Sequence, residues 1–192
     1  MTEKQDRRVK RTRNALKHSL IHLIREKGYD AVTIQDITDA ANLGRTTFYL
    51  HYESKEALLL DHYADILEHL DLGRWSREEL LSKSEATGLI EFMNLVSGSR
   101  SFYMEILNAR DADRILEGMQ VQMVKNLEES LNSAFPDKQS RLPLNIVCNY
   151  VVGAQLGLIK WWLTHRNEYS TRQLAHMIQR LQYAAIRDNY GI

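Results

Sequence analysis

The run Arg45-Thr46-Thr47-Phe48-Tyr49-Leu50-His51 places a guanidinium, two hydroxyls, a phenol and an imidazole within seven positions. Such groups recognise polyanions. An arginine can donate two parallel hydrogen bonds to guanine O6 and N7, and threonine can touch a thymine methyl or a phosphate. Tyr49 and His51, with Thr33 and Lys55 on either side of the run, suit phosphate contacts that position a protein without reading sequence. Arg45 is the base-reading candidate. Catalytic chemistry has no comparable cluster: no nucleophile, base and orienter fall together and no phosphate-binding loop occurs, so an enzyme is not expected. His18 and His22 are four apart, as zinc ligands on a helix can be. No Glu follows His18 in the H-E-x-x-H manner and no third ligand is evident, so neither metal nor cofactor is assigned. Cys148 lies in the most apolar part of the chain, where burial keeps a thiol protonated and inert. As a single cysteine it excludes an intramolecular disulfide and fits a reducing, cytoplasmic setting.

Charge is distributed unevenly. The 192 residues carry 25 basic and 25 acidic side chains, a formal net charge of zero. Residues 1–60 hold 11 basic against 8 acidic groups, a net +3, and residues 61–192 hold 14 against 17, a net −3. Within residues 1–17, Lys4, Arg7, Arg8, Lys10, Arg11, Arg13 and Lys17 face only Glu3 and Asp6, a net +5. A basic arm of this kind attracts nucleic acid and makes binding salt-dependent.

The elements that must position these groups are helical. Two prolines and nine glycines are too few for an all-β sandwich, which needs a turn signal every roughly 8–12 residues. Leu16, Leu20, Leu23 and Ile24 mark one face of a helix from Arg8 to Lys27, and Gly28 ends it. Thr33 caps a short helix carrying Ile34, Ile37, Ala40 and Ala41. Asn42 tolerates a left-handed backbone, Leu43 plugs inward, Gly44 starts a third helix and Ser54 caps a fourth. Two short helices joined by a tight turn make the helix-turn-helix plan. Further on, Ser76 and Glu79 form a capping box, and Ser97-Gly98-Ser99 separates helices at about 88–97 and 100–109. A long helix from about Asp113 to Phe135 is stopped by Pro136. Leu142 to Ile159 is free of charge but interrupted by Pro143, Asn145, Asn149 and Gln155, which reads as a buried helix rather than a membrane span. Leu174, Ile178, Leu181 and Ala185 mark the last helix.

Gly28-Tyr29, Thr33-Ile34-Gln35-Asp36-Ile37 and the run from Thr46 through Ser54-Lys55-Glu56-Ala57-Leu58-Leu59 resemble the N-terminal domain of the TetR/AcrR family of transcriptional regulators. The likeness covers roughly residues 8–60. Four positions depart from the family pattern: Asn42 stands at the usual Gly, Gly44 at the usual Ser or Thr cap, Thr38 at Ala and Tyr52 at Phe.

The resemblance implies an all-α protein of about nine helices. A three-helix helix-turn-helix DNA-binding domain (1–60, motif at about 33–52) is followed by an α-helical effector and dimerisation domain (61–192). It further implies a homodimer through the last two helices, about 144–165 and 171–189, whose apolar surface exceeds what one small body covers. Operator DNA is the expected partner, released when an unassigned small molecule binds. Candidates for that effector cavity are Phe92, Met93, Tyr103, Met119 and Met123 on the middle helices, with Asn149, Gln155 and Trp161 as polar handles. The alternative reading keeps DNA binding and makes the second half a protein-docking body without a small-molecule ligand.

Overall fold

The computed structural model describes residues 3–70, 72, 75–82, 86–165 and 168–192, with side chains from residue 6 onward. All regular structure among them is helical. In chain order the elements are α1 (Glu3–Lys27), α2 (Ile34–Ala40), α3 (Arg45–Tyr49), α4 (Lys55–His69), α5 (Arg77–Leu80), α6 (Thr87–Gly98), α7 (Arg100–Leu107), α8 (Ala112–Ala134), α9 (Leu144–Thr164) and α10 (Thr171–Tyr190). The count is ten rather than about nine. Lys4 of the basic arm lies outside the described side chains.

α1 begins five residues before the expected Arg8, because Glu, Lys, Gln and Arg are all good helix formers and no breaker interrupts them. Leu16, Leu20 and Ile24 point into the core along one face. The helix stops where Gly28 turns left-handed at φ 78°, its N–H bonding to the Ile24 carbonyl at 3.0 Å.

The chain divides into two compact units. The first comprises residues 1–64 and 101–115, so α7 joins the helix-turn-helix segment, and the second comprises 65–100 and 116–192. Within the first, Tyr29, Ile37, Phe48, Leu58, Leu59 and Tyr63 close over α1, and Phe102, Ile106 and Ile115 are buried in the same unit. Asp30 accepts from the Arg110 backbone N–H and faces its guanidinium at 3.8 Å.

In the second unit, Met119, Met123, Leu127 and Leu131 form the buried face of α8, at i, i+4, i+8 and i+12. α9 buries Val147, Cys148, Val151, Val152, Ile159 and Leu163. It is the one helix among the described residues long and apolar enough to cross a membrane, and these side chains instead pack in the unit's core. Burial pushes the Cys148 thiol up to about 12, with Glu128 adding to the effect. α10 starts with a capping box between Ser170 and Gln173 and ends at Gly191, φ 60°. The expected α10 stripe breaks at Leu181: Leu174 and Ile178 are buried, whereas Leu181 is 61% exposed.

Candidate nucleic-acid interface and a second-unit cavity

The turn between α2 and α3 is built by local hydrogen bonds. Thr33 and Asp36 form a reciprocal capping box: the Asp36 N–H donates to Thr33 Oγ1 at 3.2 Å and the Thr33 N–H to Asp36 Oδ2 at 2.8 Å. Lys27 lies 2.8 Å from the same carboxylate, and its hydrogen bond, then those of Thr33, hold Asp36 well below the usual carboxylate range. After α2 the Leu43 N–H returns to the Thr38 carbonyl at 2.9 Å, with Asn42 left-handed at φ 53°. Asn accepts this conformation more readily than other non-glycine residues, so the departure from glycine is absorbed. Thr38 is fully buried and donates its hydroxyl to the Gln35 carbonyl at 3.0 Å. Gly44 opens α3 without a side-chain cap.

Phe48 anchors α3 inward, completely buried, which turns the polar positions outward. Arg45 and Thr46 are exposed, Thr47 and His51 half-buried, and Tyr49 is 52% exposed against the edge of Phe48. The Arg45 guanidinium has no partner among the described residues. Thr33 and Lys55 differ from that picture. Thr33 donates its hydroxyl to Asp36 Oδ2 at 2.6 Å. Lys55 donates to the carbonyls of Tyr29 and Val32 at 2.9 and 3.1 Å and lies 4.2 Å from the Tyr29 ring centroid. Both work first within the fold, Lys55 by tying the start of α4 to the loop after α1. An ammonium has three N–H donors, so one remains for a phosphate.

The basic arm is smaller than its sequence count. Arg7, Arg8, Lys10 and Arg11 are exposed on α1, but Arg13 and Lys17 turn to Asp61 of α4. Lys17 lies 2.5 Å from the Asp61 carboxylate and is almost fully buried. The Tyr52 hydroxyl donates to Asp61 at 2.6 Å and accepts from Arg13 Nε at 3.0 Å. The hydroxyl that distinguishes Tyr52 from the family's Phe thus bridges α1 and α4. Two cations counted toward DNA are engaged inside the unit. Leu50, the apolar residue within the polar run, is 77% exposed, and a pattern of hydrogen-bonding side chains does not single it out.

A cavity of about 330 Å³ lies in the second unit. Its walls come from His69 at the end of α4, Trp75, Glu79 of α5, the first turns of α6 to Glu91, Gln155 of α9, and Gln179 and Gln182 of α10. Of the effector candidates, Gln155 alone lines it. Phe92, Met93, Met119 and Met123 are buried as core packing, the usual role of thioethers and aromatics at helical spacing. Tyr103 belongs to the first unit, where burial pushes its phenol up to about 12. Asn149 is exposed, donating to the Asn145 carbonyl at 2.8 Å. Trp161 stands on the outer face of α9, stacked on His165. His22 of the histidine pair faces Glu26 at 3.3 Å, and no trio of metal ligands gathers among the described residues.

That outer face carries an apolar stripe, with Asn149, Lys160 and Arg180 exposed beside it. Ile146, Tyr150, Ala154, Gly157 and Trp161 follow one stripe of α9, and Met177, Leu181 and Ala184 lie beside it on α10, all exposed. An open hollow between the two helices is bordered by Tyr150, Leu158, Leu181 and Ala184. Gln155 and Gln182 border both hollow and cavity, and so form the wall between them.

A short outward-facing helix set by a tight turn on a buried partner, joined to a second helical unit, defines a helix-turn-helix DNA-binding protein. Comparison with known proteins agrees. Residues 19–61 match the profile of bacterial regulatory proteins of the tetR family, and residues 85–183 match that of a transcriptional regulator C-terminal region. The chain belongs to the tetR family and is a DNA-binding transcriptional regulator, not an enzyme. An uncharacterised HTH-type transcriptional regulator, YxbF of Bacillus subtilis (strain 168), is 43% identical over 89 residues, 43% of this chain and 23% of that protein's own length. A TetR-family regulator structure from Syntrophomonas wolfei superposes with a TM-score of 0.62 at 15% identity, covering 92% of this chain and 95% of its own. Thermus thermophilus FadR, a TetR-family repressor in complex with lauroyl-CoA, gives 0.55 at 18% identity, covering 88% and 92%.

Proposed function

We propose that the protein is a cytoplasmic repressor that binds a pseudo-palindromic operator as a homodimer and leaves it when a small molecule enters the cavity of the second unit. The first 60 residues carry the DNA contacts and residues 61–192 the dimer and effector functions. The exposed apolar face of α9 and α10 carries this reading, for Tyr150 at 69% exposure and Leu181 at 61% are costly to leave in water. A second copy of the same face covers both by two-fold symmetry and yields a four-helix bundle. Such a dimer presents two copies of α3 to successive major grooves, roughly 34–36 Å apart. Arg45 reads a base edge, Thr46 and Thr47 touch a thymine methyl or phosphate, and Tyr49, His51 and the remaining Lys55 N–H hold the backbone. Thr33 contributes through the N-terminal turn of α2. The lauroyl-CoA bound by the Thermus protein supports an effector site in this fold, and a coupling of about 1–3 kcal/mol is the typical strength.

Selection of genomic fragments by the full chain, followed by sequencing, tests the reading directly: a two-fold symmetric motif is expected. Leu181→Glu should give a monomer by analytical ultracentrifugation and reduce operator affinity at least tenfold, about 1.4 kcal/mol. A symmetric motif bound equally well by a monomeric variant overturns the dimer. Absence of any small molecule that releases DNA favours a docking body instead.

A further inference from the structure

The second-unit cavity has an uneven set of hydrogen-bonding groups. Gln155 and Gln182 are more than nine-tenths buried, line the cavity and form no hydrogen bond among the described residues. Among the described residues the buried polar atoms without a partner lie elsewhere, on Tyr29, Tyr63 and Asn189, so these two amides open on the space of about 330 Å³ and can meet a polar ligand there. Gln179 narrows the ligand's polarity. Its Nε2 donates to the Glu79 and Ser82 carbonyls at 3.1 and 3.2 Å, which leaves Oε1 as an acceptor. Glu79 gives one carboxylate oxygen to the Ser76 N–H at 2.7 Å and keeps the other, and Glu91 adds a second carboxylate. Among the described lining residues the two carboxylates are accompanied by neither Lys nor Arg, and His69 is the one side chain there able to carry a positive charge. Trp75 supplies an aromatic surface of the kind on which a flat cation rests.

We infer that the cavity takes an organic cation rich in N–H donors, of the amidinium, guanidinium or protonated amine class, and that it disfavours acyl and phosphorylated anions. Three acceptors, Glu79, Glu91 and Gln179 Oε1, satisfy the donors, while Gln155 and Gln182 adapt, each carrying both a carbonyl and an amide N–H. Because these two glutamines also border the hollow between α9 and α10, a bound cation acts on the wall behind the outward apolar face. The biological role of the site rests on the effector reading above.

Benzamidine, benzamide and benzoate are nearly isosteric and carry positive, neutral and negative charge at neutral pH. Isothermal titration of the full-length protein should show benzamidine binding roughly tenfold more tightly than benzamide, with benzoate weakest. The double variant Glu79→Gln, Glu91→Gln should erase the preference. Glutamine at position 79 keeps the N-terminal box of α5, so the melting temperature should hold and separate lost recognition from lost folding. Equal binding of the three, a preference for benzoate, no benzamidine binding at millimolar concentration, or a preference that survives the double variant overturns the inference. Gel shifts on selected DNA separate the two readings. A neutral or anionic compound that binds this cavity and releases DNA sinks the cation class alone, whereas a carboxylate-dependent benzamidine site with DNA undisturbed sinks the effector role alone.

Discussion

Arg45 projects from α3 without a partner, so its five N–H donors need not leave another group to meet a base. Arg45→Ala should cost about 1–3 kcal/mol on the selected operator and flatten discrimination at one base pair, with little change on random DNA. Fluorescence anisotropy against single-base variants checks this, and equal loss on both DNAs rejects base reading. Tyr52→Phe restores the residue that the family resemblance implies and removes a hydroxyl held by Asp61 and Arg13, a loss of about 1 kcal/mol seen in urea unfolding. Asp61 adds a pH signature. Burial raises its carboxyl, but hydrogen bonds from Lys17 and Tyr52, with the charge of Lys17 and a bond from Arg13, outweigh burial and hold it below its ordinary value. Its contribution is complete above the unfolded carboxylate value of about 3.9 and is lost as pH falls through the folded one. Asp61→Asn should therefore weaken the protein at neutral pH and reduce its acid sensitivity. An unchanged acid slope contradicts this. The exposed Arg45 was legible in the sequence, whereas the engagement of Lys17 with a residue 44 positions away was not, since charge alone does not name a partner.

Among the elements, α3 has five residues, too short for any periodicity, and its place was legible through Asn42, Gly44 and the family pattern. Its N-terminus carries no side-chain cap. Gly44 has φ −84° and nothing within 4 Å of an added Cβ, so Gly44→Ser should stabilise the domain by a few tenths of a kcal/mol through a hydroxyl cap. Thermal unfolding measures it, and a lowered midpoint shows that serine does not reach the α3 amides. The longer helices were readable from their stripes, α1 from Leu16, Leu20 and Ile24 most clearly. α9 was not, in one respect: a helix apolar on every side has no preferred phase in sequence, and only packing reveals that Ile146, Tyr150 and Trp161 face out while Val147, Val151 and Ile159 face in. The cavity was hidden for a similar reason. Pattern favours large apolar side chains as pocket walls, and here Phe92, Met93, Met119 and Met123 fill the core while three glutamines and two glutamates share the lining with Trp75 and leucines.

For the whole molecule, a net charge of zero conceals a basic end, and folding trims that end further. Arg8→Ala and Arg11→Ala should each lower the slope of log affinity on log salt by up to about one, whereas Lys17→Met should leave the slope intact and reduce stability. A Lys17 variant with a shallower slope reverses that assignment. The division at residue 60 that the sequence suggests has a further consequence through Asp61, which stands one position beyond it. A chimera grafting residues 1–60 onto another regulator's body would carry Arg13, Lys17 and Tyr52 but leave behind the carboxylate that all three meet here. A graft that keeps the first turns of α4, through residue 64, should therefore resist urea better than one ending at 60.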